Sequence, residues 1–194
     1  MRALRGLRIG RLLDVHGANA VSALLRPATG DDAEALAKLG RESFIAAFGH
    51  LYRPEDLESF LQEYRTPEAF RAHLADPPTL IQVAEIDGRL AAYSLIVRGH
   101  LMGGRPDPQP GKPVYLSQLY CAGDMTGHGL GAALIEWAIA AARDWGADAL
   151  QLSVFSENFG AQRFYQRYGF AKVADIDFWV GNQRDDEFLY ELQL

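Results

Sequence analysis

Residues 126–134 read TGHGLGAAL, and the fold turns on what this run is for. Gly127, Gly129 and Gly131 alternate, and the small Ala132 and Ala133 follow. Such a run lets backbone N–H groups approach a ligand closely, because no Cβ stands in the way. The ligand it suits is a phosphate. A helix is predicted from about Gly129 to Trp145, with Leu130, Leu134, Trp137, Ala138 and Ala141 on one side. The first N–H groups of a helix are unpaired and form the positive end of its dipole. A glycine-rich connection with no ligand is the plainer alternative. Three alternate glycines where a strand gives way to a helix argue against it. Which phosphate is bound has to come from the flanks.

Upstream, VYLSQLYC (114–121) reads as a strand, and downstream ALQLSVF (149–155) reads as another. A helix is expected near Asn158 to Tyr168, stopped by Gly169, and short strands around Phe178–Val180 and Phe188–Leu192 close the chain. Toward the N-terminus, TLIQVAEIDGRLAAYSLIV (79–97) is a hairpin turning at Asp87-Gly88. The proline-rich HLMGGRPDPQPGKP (100–113) is a loop. Before the hairpin come a short strand, Ala23–Pro27, and three helical stretches. Thr29 or Asp31 caps the first, with Leu36, Leu39, Phe44 and Phe48 inward. Pro54 opens the second, and Thr66-Pro67 starts the third. The order β, helices, hairpin, β, α, β, α, β, β defines an α+β or mixed α/β sheet rather than a regular βαβ series.

The chain of 194 residues suits one domain, 23–194, preceded by an extension over 1–22. Arg2, Arg5, Arg8 and Arg11 punctuate that extension; a short basic helix lying on a membrane is its alternative reading. No apolar run is long enough to span a bilayer, and the extension lacks a secretory core. A net charge of −6 argues against a nucleic-acid partner and fits cationic substrates as well as plain solubility. The single cysteine, Cys121, fits a reducing cytosol and reads as a small buried hydrophobe.

Two phosphate loops compete. The run matches G-x-G-x-x-A, the dinucleotide fingerprint, with Glu157 past the next strand as the ribose acid. Fewer than forty residues follow Glu157, too few for the rest of a doubly wound sheet. The second reading uses more of the chain. QLYCAGDMTGHGLGAALIEWA (118–138) is followed, after a strand, by SENFGAQRFYQRYGF (156–170). Together these resemble the GNAT superfamily of acetyl-coenzyme A-dependent N-acetyltransferases. Leu119, Tyr120 and Cys121 stand where the family's strand ends in L-Y-V, and Thr126, Gly127, His128, Gly129, Leu130 and Gly131 fill its [QR]-x-x-G-x-[GA] loop. Asn158, Ala161, Phe164, Tyr165, Gly169 and Phe170 match every position of its N-x-x-A-x-x-[FL]-Y-x-x-x-G-F run. Thr126 departs from the usual Gln or Arg; its hydroxyl can still donate to a phosphate.

The resemblance covers Leu24 to Leu194. It implies a central twisted, mostly antiparallel sheet, splayed at the middle strands and flanked by helices. It implies acetyl-CoA as donor, no metal, and direct attack by an amine in a ternary complex. A backbone amide near Leu119 would bind the thioester oxygen, and Tyr165 would protonate the departing thiolate. Asn158 reads both as helix cap and as coenzyme contact, and Tyr168 as a packing residue. His128, within the loop, is a phosphate partner rather than a base. The strand before the loop holds no carboxylate, so Glu42 and Glu85 are the candidates for the base, each competing with a role as surface charge. AAFGHLYRPEDLESFL (46–61) and the tail DFWVGNQRDDEFLYELQL (177–194) resemble the bacterial polyamine acetyltransferase branch. A protein N-terminus or lysine remains open as acceptor, as does a coenzyme A-binding module without turnover. The resemblance admits a homodimer.

Overall fold

The computed structural model describes residues 11–15 and 21–194, with side chains from Ser22 onward. Eight strands form one sheet in the order β1-β2-β3-β4-β5-β6-β8-β7. They are β1 (Arg11–Val15), β2 (Val21–Pro27), β3 (Thr79–Ile86), β4 (Arg89–Arg98), β5 (Pro113–Cys121), β6 (Ala149–Phe155), β7 (Ala171–Val180) and β8 (Gln183–Gln193). The helices are α1 (Ala33–Phe48), α2 (Pro54–Tyr64), α3 (Pro67–Ala75), α4 (Leu130–Trp145) and α5 (Phe159–Arg167). Every strand pair is antiparallel except β5 with β6, as expected for an α+β sheet. Among the described residues no helix is long and apolar enough to cross a membrane.

Local chemistry explains the element boundaries. Asp87 and Gly88 take φ of 51° and 76°, the left-handed pair that a two-residue hairpin needs, and join β3 to β4. The Thr66 side chain accepts from the Ala69 N–H at 3.2 Å, and Pro67 sits at the first turn of α3. At the start of α1 a short 3-10 turn, Gly30–Asp32, intervenes, and buried Asp32 accepts from the Thr29 N–H at 2.7 Å. Asp32 also takes a forked pair of hydrogen bonds from Arg26 at 2.7 and 2.8 Å.

Strands alternate their side chains between two faces, and each face is roofed by helices. Leu36 and Phe70 from α1 and α3 meet Val83, Tyr93 and Leu95 on one face. Leu130 and Leu134 of α4 meet Ala84 and Ala92 on the other. Further along, α4 and α5 cover Leu150, Leu152, Val154 and Tyr190. α2 packs Phe60 and Leu61 against Val180.

Two expectations need correcting. The last two strands are a long hairpin of ten and eleven residues, where the sequence pointed only to short strands near Phe178 and Phe188. Ten-residue β7 is an edge strand with one fully buried position, and Lys172, Asp175 and Asp177 interrupt its apolar residues, so its pattern reads weakly. The expected 1–22 extension contributes an additional edge strand, β1, which rules out a helix over Arg11–Val15. Arg2, Arg5 and Arg8 lie outside the described residues.

Candidate active site

The sheet opens along the strand that leads into the glycine loop. β5 pairs with β6 at Pro113, Val114 and Tyr115 alone, and the two strands then diverge. The β5 edge from Leu116 to Cys121, which includes Leu119 and Tyr120, therefore has no ladder partner on its β6 side. A register shift opposite Leu95/Ile96 leaves Ser117 out of the β4 ladder as well. Irregular pairing of this kind leaves backbone amides available to a ligand.

One mouth of the opening is the glycine loop. A 3-10 turn, Gly123–Met125, leads into Gly127 and Gly129 at φ of 82° and 85°. No atom lies within 4 Å of where a Cβ would stand at either glycine, so the space in front of the loop is open. The first intrahelical hydrogen bond runs from the Ala133 N–H to the Gly129 carbonyl at 3.1 Å, which leaves the N–H groups before it at the helix mouth. Gly131 differs in kind. Its Cβ would stand 3.8 Å from both the Cys121 sulfur and Phe164, so this glycine knits α4 to β5 and α5.

Two loop side chains bond to the loop's own backbone. The Thr126 hydroxyl donates to the Gly123 carbonyl at 3.0 Å, which spends the donor expected for a phosphate. His128 Nδ1 is 3.0 Å from the Thr126 carbonyl oxygen; since a carbonyl only accepts, Nδ1 carries the proton and Nε2 is left for other partners. Cys121 is half-buried, and burial pushes its thiol up to about 11, only partly offset by the Gly131 N–H. It is a protonated packing residue, as the sequence indicated.

The second wall is α5. Asn158 caps it, its Oδ1 accepting from the Ala161 N–H at 3.0 Å. Tyr165 packs between Phe164 and Phe170, with ring centroids 5.2 and 5.7 Å away. Desolvation raises its phenol well above the ordinary value, and Tyr120, Cys121 and Tyr115 add to the rise. Tyr165 thus lies on the α4–α5 side of the sheet, packed against the core beneath those helices. Tyr168 leans on Phe164 at 5.2 Å, a packing residue.

On the face of the sheet away from α4 and α5, beside the point where β5 and β6 part, lies a cavity of about 470 Å³. Tyr115 and Ser153 form its floor, Ile176 and Phe178 of β7 one side, Met102 to Gly104 the other, and Glu187 of β8 stands inside. The loop is fixed over it: the Met102 N–H donates to Gln151 at 3.0 Å, and Arg105 forks onto buried Glu191 at 2.7 and 2.8 Å. The Oε2 of Glu187 is buried and has no hydrogen-bond partner among the described residues. Burial lifts its carboxyl to about 7; the Ser153 hydroxyl opposes the rise and Asp185 contributes to it. Beyond Glu187, buried Asp185 accepts from the Tyr52 hydroxyl.

The carboxylates named from sequence lie elsewhere. Glu42 is exposed on α1, 3.9 Å from Lys38. Glu85 is bound to Arg26 at 2.8 Å, in a cluster with Asp32 at the β2–β3 edge. Neither lines the cavity. Glu187 escaped notice because RDDEF reads as surface charge, although the alternation of Asp185, Glu187 and Glu191 against Phe188, Tyr190 and Leu192 was a strand signal. Among the described residues, no three His, Cys, Asp or Glu side chains gather as metal ligands would.

A splayed sheet with a glycine loop at one mouth and a polar cavity at the other defines an acyl-transfer architecture. The sequence profile of the Acetyltransferase (GNAT) family matches residues 43–170, and the chain belongs to that family. An uncharacterized N-acetyltransferase of Mycobacterium tuberculosis is 31% identical over 163 residues, spanning 84% of this chain and 98% of that protein. Another, from Lactobacillus delbrueckii subsp. lactis, is 26% identical over 156 residues, spanning 80% and 88%. The fold is shared with the PaiA N-acetyltransferase of Thermoplasma acidophilum, solved with coenzyme A, at a TM-score of 0.71 and 20% identity over 89% of this chain and 99% of that one. It is shared too with the Escherichia coli ribosomal-protein-S18-alanine N-acetyltransferase, at 0.63 and 17% over 88% and 93%.

Proposed function

We propose that the protein transfers the acetyl group of acetyl-CoA to a primary amine by direct attack in a ternary complex. The acceptor is a small cationic amine of the polyamine kind, and the reaction belongs to a reducing cytosol. The observation that carries this reading is the parting of β5 and β6 beyond Tyr115, with the glycine loop at the end of β5 and the Glu187 cavity beside Tyr115.

Acetyl-CoA, when bound, supplies a thioester whose carbon–sulfur bond breaks as the carbon–nitrogen bond forms. The loop N–H groups from Gly127 to Gly131 hold the pyrophosphate, with His128 beside them. The free β5 edge near Leu119 offers an amide to the thioester oxygen, a contact worth roughly 3 kcal/mol in comparable sites. Tyr165, kept protonated by burial, gives its proton to the departing sulfur. The proton left on nitrogen returns to Tyr165 through solvent.

The small-amine reading rests on the cavity wall. The two stretches that resemble the polyamine branch meet behind its Phe178 wall: Phe60 packs edge-on to Phe178 at 5.8 Å, Tyr52 bonds Asp185, and Asp56 holds Asn182 at 2.8 Å. Glu187 stands in the same cavity with an oxygen that no described residue satisfies, and a cation suits it. A module without turnover was suggested by the missing strand carboxylate, and Glu187 removes that ground.

A thiol-release assay with acetyl-CoA and a panel of diamines, polyamines, peptide N-termini and lysine peptides tests the reading. Release with the small cationic amines is expected. Release with peptides alone would move the acceptor to protein, and binding of acetyl-CoA with no release from any amine would make the chain a binding module.

A further inference from the structure

We propose that Glu187 is the base of this reaction, taking the proton of the incoming ammonium inside the cavity between Gly103-Gly104 and β7. The inference rests on the acetyltransferase reading above. It begins with a placement. Ile176 and Glu187 are partners across the β7–β8 ladder, and Phe155 and Glu187 across the β6–β8 ladder, so Glu187 points away from α4 and α5. Phe188 next to it points the other way and packs with the core under those helices. Tyr165 approaches from that helical side. Tyr115, the last β5 residue still paired with β6, lines the Glu187 cavity at the point where the two strands part. Glu187 and Tyr165 thus lie on opposite faces of the sheet.

The second observation is an orphan. A buried carboxylate oxygen without a donor is costly, and in a packed protein it is normally paired. Asp32, Glu85 and Glu191 all have arginine partners. The groups on the Glu187 face are Tyr115 on β5, Ser153 on β6, Asp185 on its own strand and Tyr52 beyond Asp185; Asp175 and Asp177 of β7 border the cavity from positions that alternate with Ile176 and Phe178. None is a cation. The nearby arginines are engaged, Arg105 with Glu191 and Arg184 with Asp177 and Asp186. What would satisfy this oxygen is a donor brought by the ligand, and an ammonium is such a donor.

The proton balance closes. The ammonium gives one proton to the Glu187 carboxylate, which becomes the neutral acid, and the freed nitrogen lone pair makes the new bond to carbon. Glu187 then releases that proton to solvent. A carboxyl poised near neutrality accepts and returns a proton readily at pH 7.

The test compares the wild-type protein with Glu187→Gln on two acceptors: a strongly basic primary amine, and a weakly basic alkoxyamine already neutral at pH 7. The variant should lose about 10²-fold or more in kcat/KM with the basic amine. With the alkoxyamine it should be nearly unchanged, and its rate with the basic amine should keep climbing with pH. Equal losses for both acceptors would overturn Glu187 as the base while leaving the acetyltransferase reading intact. Absence of thiol release by the wild-type protein with any amine would overturn that reading first. Carbon-13 NMR of the labelled glutamates, assigned by difference with the variant, adds a readout independent of turnover. A Glu187 signal titrating near neutrality supports the proposal, and one titrating in the ordinary carboxylate range overturns it.

Discussion

At the scale of the residue, Tyr165 and Glu187 are opposites made by the same force. Desolvation disfavours whichever form is charged. It keeps the Tyr165 phenol protonated far into the alkaline range and makes it an acid. It holds back ionisation of Glu187 until neutrality and makes it a base that can also let go. Tyr165→Phe removes one hydroxyl and keeps the ring between Phe164 and Phe170. Acetyl-CoA affinity measured by calorimetry should therefore survive. Turnover at saturating coenzyme should fall about 10²-fold, the low end for a general acid, because a thiolate is already a fair leaving group. Wild-type turnover across several pH values would reduce Tyr165 to a core tyrosine.

At the scale of the element, the glycines divide by task. Gly129 needs its left-handed φ of 85° yet meets no neighbour, so valine there imposes backbone strain of about 1–3 kcal/mol without a clash. The fold should hold while calorimetry finds no saturable acetyl-CoA binding. A folded Gly129→Val protein with native affinity would take the loop out of the coenzyme site. Gly131→Ala, whose Cβ meets only ordinary contacts, should bind normally. Gly181 serves the fold instead: a Cβ would stand 2.7 Å from the Asp56 Cα, at a φ of 57°. Gly181→Ala should lower stability by about 2–4 kcal/mol in urea unfolding, since the β7–β8 turn must lift away from α2.

The same division explains what the sequence made legible. The Asp87-Gly88 turn, the Asn158 cap and the Thr66-Pro67 start are fixed by neighbours within four residues, and each stands where local chemistry put it. The glycine loop with its helix and the capped α5 were readable for that reason, since they are contiguous motifs. The Glu187 cavity was not. Glu187 faces a cavity built from β5, β6, β7 and a loop some eighty residues upstream, and nothing beside it in sequence announces that company. The Thr126 hydroxyl shows the limit even inside a motif, because its turn toward Gly123 depends on the 3-10 step before it.

At the scale of the whole molecule, these carboxyls give stability a pH dependence of two signs. Asp32 and Glu191 are held below the ordinary range, chiefly by hydrogen bonds from Arg26 and Arg105. They stabilise the fold above the unfolded carboxylate value, and that contribution is lost as acid protonates them. Glu187 works the other way. Its folded value lies above its unfolded one, so between the ordinary 4.5 and about 7 the folded protein binds more protons than the unfolded chain, and stability falls as pH rises through that window. The gap corresponds to about 3 kcal/mol once the carboxyl is fully ionised. Glu187→Gln cannot ionise and escapes this loss. Urea unfolding of both proteins at several pH values should therefore show the variant gaining on the wild type as pH rises. The gap should be small near pH 5 and approach about 3 kcal/mol above pH 8. A difference that does not change with pH would mean that Glu187 ionises in the fold as it does in the unfolded chain. The stability forgone above neutrality is then the expense of keeping a carboxylate unpaired, ready for a cation the protein itself does not supply.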